Sequence, residues 1–185
     1  VFAALTSGDS NVAVGYNALT ANTTGQQNVA VGNRAGDAIT TGEGNTAIGY
    51  FSLSNTTTAS NNTAVGVDSL GLNSTGDNNT GIGKDALRAN TSASNNTAVG
   101  TDALKSNTTG NTNTAVGAEA LDAVVSNNDN TAVGYRALSA NTTGSNTAVG
   151  SEAMQLTTTG ANNSALGLQA LRLNTTGAGN LAVGA

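Results

Sequence analysis

The stretch Asn96-Thr97-Ala98-Val99-Gly100-Thr101-Asp102-Ala103-Leu104-Lys105-Ser106-Asn107-Thr108-Thr109-Gly110-Asn111-Thr112 is followed at once by Asn113-Thr114-Ala115-Val116-Gly117, so the chain returns to its starting motif after 17 residues. The motif recurs in both directions. It opens at Asn11, Asn28, Asn45, Asn62, Asn79, Asn96, Asn113, Asn130, Asn146, Asn163 and Asn180, at a constant spacing of 17 except for one step of 16, between Asn130 and Asn146. The consensus is N-T-A-V-G-x-x-A-L-x-x-N-T-T-G-x-x, numbered here as coil positions 1 to 17. Self-similarity at one fixed period is the signature of a repeat architecture.

The columns of this repeat each have a physical meaning. Position 4 is always aliphatic: Val14, Val31, Ile48, Val65, Ile82, Val99, Val116, Val133, Val149, Leu166 and Val183. Position 3 is Ala, except for Gly81. Together with the residue at position 2 they form a short strand rich in β-branched side chains. Position 5 is invariably glycine (Gly15, Gly32, Gly49, Gly66, Gly83, Gly100, Gly117, Gly134, Gly150, Gly167 and Gly184), which marks a bend or a close backbone approach. Position 9 carries Leu19, Leu53, Leu70, Leu87, Leu104, Leu121, Leu138, Met154 and Leu171, with Gly36 the exception; Ile39 at position 12 is expected to fill that gap. Positions 6 to 11 are read as one helical or 3₁₀ turn. Asp85 with Arg88 and Asp102 with Lys105 are spaced three apart, where such a turn would bring them together. The N-T-T-G segment is a turn.

A 17-residue unit with two bends cannot stand alone, but stacked units can pair strand to strand. The expected fold is therefore all-β: a parallel β-solenoid (β-roll) of about eleven coils, one repeat array over residues 1–185 with partial coils at 1–10 and 180–185. The short coil is expected to lack one residue after Gly144. Position 1 Asn residues, and those at position 12 (Asn22, Asn73, Asn90, Asn107, Asn141 and Asn174), are expected to stack as amide ladders. The sharper reading of position 12 is N-glycosylation, since Asn22-Thr23-Thr24 and its equivalents fit the acceptor pattern. A glycan on every rung would crowd its neighbours, so the ladder is preferred.

Composition narrows the function. Charged residues are only 9% of the chain and just six are Lys or Arg, too few to track a phosphate backbone, so no nucleic-acid partner is expected. No apolar run is long enough for membrane insertion. With no His and no Cys, nucleophilic triads and the usual zinc sites have no members. The eleven Asp and Glu are scattered over coil positions, and Glu119 with Asp122 reads as a solvated face rather than a catalytic pair. No glycine run has the Walker pattern, and the turns lack the Asp that repeated calcium sites need. No catalytic, cofactor or metal residue is assigned, and no enzyme activity is expected.

Successive strand residues face opposite sides, so of positions 3 and 4 one column fills the coil and the other forms an exposed apolar stripe, the mark of an interface. One Val and one Leu per coil return less free energy than ordering the backbone costs, so lateral self-association is expected. The six C-terminal and ten N-terminal residues would together make one 16-residue coil, the length of the short coil. Either the array is cut from a longer one or subunits join head to tail as an open filament.

The N-T-A-V-G-x-x-A-L-x-x-N-T-T-G unit resembles the head repeats of trimeric autotransporter adhesins and, more closely, repeats in bacteriophage-type tail-fibre proteins. The resemblance covers the whole chain, although the adhesin repeat is usually shorter. It implies a left-handed parallel β-roll, three chains packed on a common axis, an extracellular location on a cell surface, secreted filament or virion fibre, and attachment to a cell-surface or glycan receptor. It also implies that positions 3 and 4 pack in the roll and toward the trimer axis. The competing function is ice binding by Thr columns at positions 2, 13 and 14. Tyr16, Tyr50 and Tyr135, at the variable position 6, are read as surface residues open to a partner.

Overall fold

A computed structural model describes residues 1–185. Eleven strands of three residues each follow one another: β1 (Val12–Val14), β2 (Val29–Val31), β3 (Thr46–Ile48), β4 (Thr63–Val65), β5 (Thr80–Ile82), β6 (Thr97–Val99), β7 (Thr114–Val116), β8 (Thr131–Val133), β9 (Thr147–Val149), β10 (Ser164–Leu166) and β11 (Leu181–Val183). Each pairs in parallel with the next, giving one sheet in the order β1 to β11. The register places Thr97 on Thr114, Ala98 on Ala115 and Val99 on Val116, identical residue over identical residue. The chain is thus a parallel β-solenoid, and at about 4.8 Å per rung its eleven strands span roughly 50 Å. No helix is long and apolar enough to cross a membrane.

The glycine corner follows from the stacking. Gly100 has φ of +135°, and a Cβ built on it would lie 2.6 Å from the carbonyl carbon of Gly117 on the next rung. Side chains are excluded both by the dihedral and by the backbone above. The Gly100 N–H also donates to the carbonyl of Ile82 on the rung before, at 2.7 Å.

Beyond this corner the expected helical or 3₁₀ turn is not what forms. Three linked turns close instead. The N–H of Ala103 donates to the Gly100 carbonyl (3.3 Å), that of Lys105 to Asp102 (3.3 Å) and that of Asn107 to Leu104 (3.1 Å). Asp102 and Leu104 have φ of +58° and +50°, and the same pattern holds at positions 7 and 9 of every complete coil. A helical turn needs successive negative φ; these alternate. A left-handed Leu costs about 1–2 kcal/mol, but it carries the side chain into the coil, where Leu104 is fully buried. Burying a Leu returns about 1.5–3 kcal/mol, which offsets the cost.

The interior is narrow. Position 3 Ala, position 8 Ala or Ser, and position 9 Leu or Met fill it, joined by the position 12 side chains. The strand residue that points inward is therefore Ala, not Val, and the interior holds one large aliphatic side chain in most coils, with Val124 beside Leu121 the exception. Where Gly81 replaces Ala, Ser69 Oγ occupies the freed space and donates to the Gly81 carbonyl at 2.8 Å. Where Gly36 replaces Leu, Ile39 packs into the vacancy, its Cδ1 lying 2.9 Å from where a Gly36 Cβ would be.

The short coil loses its residue ahead of Gly144, not after it. Thr143 Oγ1 donates to the carbonyl of Gly160, at position 15 of the next coil (2.8 Å). The Thr143 carbonyl accepts Asn141 Nδ2 (2.6 Å), the bond that Gly110 accepts from Asn107 in a full coil. Thr143 thus takes position 15, and Ser145 keeps the left-handed conformation of position 17 with φ of +61°. The position deleted is 14, a turn residue that faces away from the interior.

Candidate functional site

Two sets of residues are candidates for function: the hydrogen-bonded columns that hold the rungs together, and the surfaces that they leave exposed.

The position 1 asparagines form a continuous buried column from Asn28 to Asn163, with Asn11 and Asn180 at its less covered ends. Each buried carboxamide bonds in more than one direction, and Asn79, which also donates to Asn62 Oδ1 (3.2 Å), serves four groups. Asn79 Oδ1 accepts the backbone N–H of Asn96 (3.0 Å) and its Nδ2 (3.2 Å), while Asn79 Nδ2 donates to the Ala93 carbonyl (2.8 Å). Donor and acceptor alternate along the axis, so an Asp or a Leu at this position would break the pattern in both directions.

Position 12 forms a second, discontinuous column. Asn90 Nδ2 donates to Asn73 Oδ1 (2.7 Å) and Asn107 Nδ2 to Asn90 Oδ1 (3.3 Å). Asn22, Asn73, Asn90, Asn107 and Asn141 are fully buried, which closes these acceptors to a glycan in the folded state, while Asn174 in the last full coil is half-buried. The expected ladder extends no further: the column is interrupted at Ile39, Val124 and Thr157, so Asn141 donates instead to Asn130 Oδ1 (3.1 Å), Asn174 to the Gly177 carbonyl (3.0 Å), and Asn22 is buried with neither side-chain atom partnered.

Two further columns hold the rungs together; the sequence pattern does not announce the one at position 16, and it shows the one at position 13 only as a hydroxyl face. At position 16, Ser60 N–H donates to Asp77 Oδ1 (2.7 Å), Asp77 N–H to Ser94 Oγ (3.0 Å) and Ser94 N–H to Asn111 Oδ1 (2.7 Å). From Ser60 to Asn128 the residues differ, so the column looks variable, yet all five are short acceptors; that shared chemistry is the available signal. At position 13, Thr91 Oγ1 donates to the Thr108 carbonyl (3.1 Å) and Thr108 Oγ1 to that of Val125 (3.0 Å). These hydroxyls are engaged along the axis, so position 13 is not a free hydroxyl array.

The outward face of the sheet carries position 2 and position 4 side by side. The aliphatic column faces outward along its length, with exposed members (Val14 56%, Ile48 39%, Ile82 39%, Leu166 51%) and half-buried ones (Val31, Val65, Val99, Val133, Val149) interspersed. The Thr at position 2, half-buried from Thr46 to Thr131, runs parallel to it. The result is an unbroken two-column strip of hydroxyl and aliphatic groups. Tyr16, Tyr50 and Tyr135 stand on the next corner, exposed.

Charged groups pair across the turns. Lys105 Nζ meets Asp102 at 2.9 Å, and Arg88 Nε meets Asp85 at 3.4 Å. The hydrogen bond to Asp102 raises the Lys105 pKa. Arg136 reaches Glu119 on the preceding coil at 2.7 Å. Asp122 is one of the carboxylates without a cationic partner: desolvation, and then the nearby Glu119 charge, push its pKa above the ordinary value. No three His, Cys, Asp or Glu side chains cluster as metal ligands would.

Two cavities interrupt the surface. One of about 330 Å³ lies between Tyr50, Phe51, Asp68 and Arg88. The other, about 240 Å³, lies at the last rung against Leu171, Ala182 and Val183. Compared with known proteins, the chain is matched by no family model, no curated protein and no solved structure.

Proposed function

We propose that this chain is a non-enzymatic segment of an extracellular fibre or filament, with an adhesin-like or tail-fibre-like role in attachment, whose rods pack side by side along the Thr–Val strip. Three chains around a common axis is the arrangement favoured by its repeat. The observation that carries the reading is the outward aliphatic column, continuous from Val14 to Val183. Solvated apolar stripes of this length are rare on monomers and mark interfaces. The thin interior supports the same reading, since each coil buries little more than Ala and one Leu. The ladders supply axial stiffness, and the varied position 6, 7 and 10 residues supply an adaptable outer surface.

Sedimentation of the whole chain tests the proposal. The expected species is a multiple of 18.0 kDa. Val99→Lys combined with Val116→Lys should release single chains with an unchanged β circular-dichroism spectrum. A stable, folded monomer of the unaltered chain overturns the assembly.

A second reading stays open on one specific observation. The position 2 Thr lie in strict register on a sheet, as Thr80 on Thr97 and Thr97 on Thr114 show, and a regular hydroxyl–methyl strip is what an ice surface would require. Thermal hysteresis of the purified protein distinguishes the two readings, since a strip buried between rods cannot also meet ice.

A further inference from the structure

The cavity beside Tyr50 and Phe51 departs from the repeat in three ways at once. Position 7 is polar in every other complete coil, yet here it is Phe51. Its φ is +56°, a left-handed conformation that suits Asn or Asp and disfavours an aromatic residue. Position 10 carries a side chain in every other complete coil, from Thr20 to Arg172, yet here it is Gly71. Gly71 does not have a positive φ, and a built Cβ would meet only the backbone of Asp68 in its own turn, at 3.1 Å. Nothing in its own backbone demands glycine. Its effect is to open a notch between Ser54 below and Arg88 above. Position 11 of the coil below is Asn55, where Ala is commonest. Strain and lost side chains gathered in one place are a pointer to function rather than to folding.

We propose that this notch is a carbohydrate-binding subsite that takes one pyranose unit of a surface glycan. The assignment deepens the attachment role and rests on it for its biological setting. A pyranose has an apolar C–H face and an edge of hydroxyls that donate and accept. The notch offers a match for both. Tyr50 and Phe51 form the chain's only aromatic pair, ring centroids 4.4 Å apart and planes at 70°. Arg34, from the preceding coil, covers one side of Phe51 at 4.7 Å, whereas the notch residues Asp68, Gly71 and Arg88 come from the coils that follow. The aromatic pair thereby becomes a held wall with an open side.

The polar groups are equally specific. Asp68 belongs to none of the six ion pairs, so its carboxylate is free to accept two hydroxyls. Arg88 meets Asp85 through Nε, which leaves its terminal N–H groups for a ligand oxygen. Asn55 Nδ2 is committed to the Gly71 carbonyl at 2.6 Å, which fixes the amide so that Oδ1 can accept. Ser54 Oγ donates to the same carbonyl at 3.2 Å. A concave site with an aromatic wall and a few convergent donors and acceptors suits a small neutral polyol. A quaternary ammonium ion fits less well, because Arg34 already engages Phe51 and Arg88 adds a second positive charge.

The test is saturation-transfer NMR and calorimetric titration of the whole chain with methyl glycosides of mannose, galactose, glucose and N-acetylglucosamine, with tetramethylammonium alongside. At least one glycoside should bind at millimolar concentration. Phe51→Asn restores the polar residue usual at position 7, and Gly71→Ser restores a residue found at position 10 of other coils, so both should fold. Each should weaken binding about tenfold, the factor that corresponds to about 1.4 kcal/mol. Binding of no glycoside, binding of tetramethylammonium alone, or glycoside binding that both variants retain overturns the subsite. A chain that assembles into rods yet binds no glycoside removes the subsite and leaves the rod. A monomer that binds glycoside through this notch does the reverse.

Discussion

Asn79 Oδ1 accepts the backbone N–H of Asn96 one rung later, at 3.0 Å, while Asn79 Nδ2 holds the Ala93 carbonyl at 2.8 Å. A single side chain thus satisfies the strand entry of the next coil and the turn of its own. Both groups are out of reach of water, because Asn79 is fully buried.

Asn79→Ala should therefore cost more than one ordinary hydrogen bond. It leaves the Asn96 N–H without a partner, which costs about 1–3 kcal/mol when buried, and it removes one of the two donors to the Ala93 carbonyl, the other being Asn90 Nδ2. Asn79→Asp keeps the acceptor but faces a second acceptor with a buried charge, and should be worse. Urea titration followed by circular dichroism checks this. A midpoint for Asn79→Ala within error of the unaltered chain would show that the column contributes nothing to stability.

Asn22 offers the opposite experiment. It is buried beneath Ile39 with both side-chain atoms unpartnered. Val124 shows that Val fits position 12 above a position 9 Leu, here Leu121, with both fully buried. Asn22→Val should stabilise the chain by about 1–3 kcal/mol, the penalty of an unsatisfied buried polar group. A lowered thermal midpoint would mean that the amide has a partner after all.

Asp122 makes the stability pH-dependent. Desolvation first, and Glu119 second, raise its folded-state pKa above the ordinary Asp value, and its Oδ1 is buried without a partner. A raised acid pKa means that the folded chain holds its proton more readily than the unfolded chain. The ionised side chain therefore costs stability above the folded-state pKa. The cost fades as pH falls through that value and is gone below the unfolded one. Asp122→Asn should raise the urea midpoint at neutral pH and lose its advantage near about pH 3, below the ordinary carboxylate value. An equal difference at both pH values would rule out ionisation as the cause.

Much of the rod is legible in the sequence. The Asn, Gly and Leu columns announced stacked rungs because each of those residues has one reason to recur. Gly100 must be glycine under Gly117, and an Asn beneath an Asn can pass a hydrogen bond along the axis. The turn over positions 6 to 11 was misread because Leu104 and its equivalents take a left-handed backbone that propensity assigns to Gly and Asn. Burial in the interior overrides that preference, and burial is not visible in local sequence. The position 16 column was hidden because Ser, Asp and Asn can each supply the one acceptor needed there.

The period, the parallel stacking and the glycine corner are written in the order of residues, because a repeat that aligns like with like restates its own constraint in every rung. Which side of the strand faces inward is not. Alternation says only that Ala98 and Val99 point opposite ways, and either could have lined the coil. The stacked, narrow interior decides it: Ala98 packs there with Ala103 and Leu104, all fully buried, and Val99 is left half-exposed on the outer face. The notch at Gly71 has the same origin. Its walls come from three successive coils, and only the stacking brings Phe51, Asp68 and Arg88 around one space.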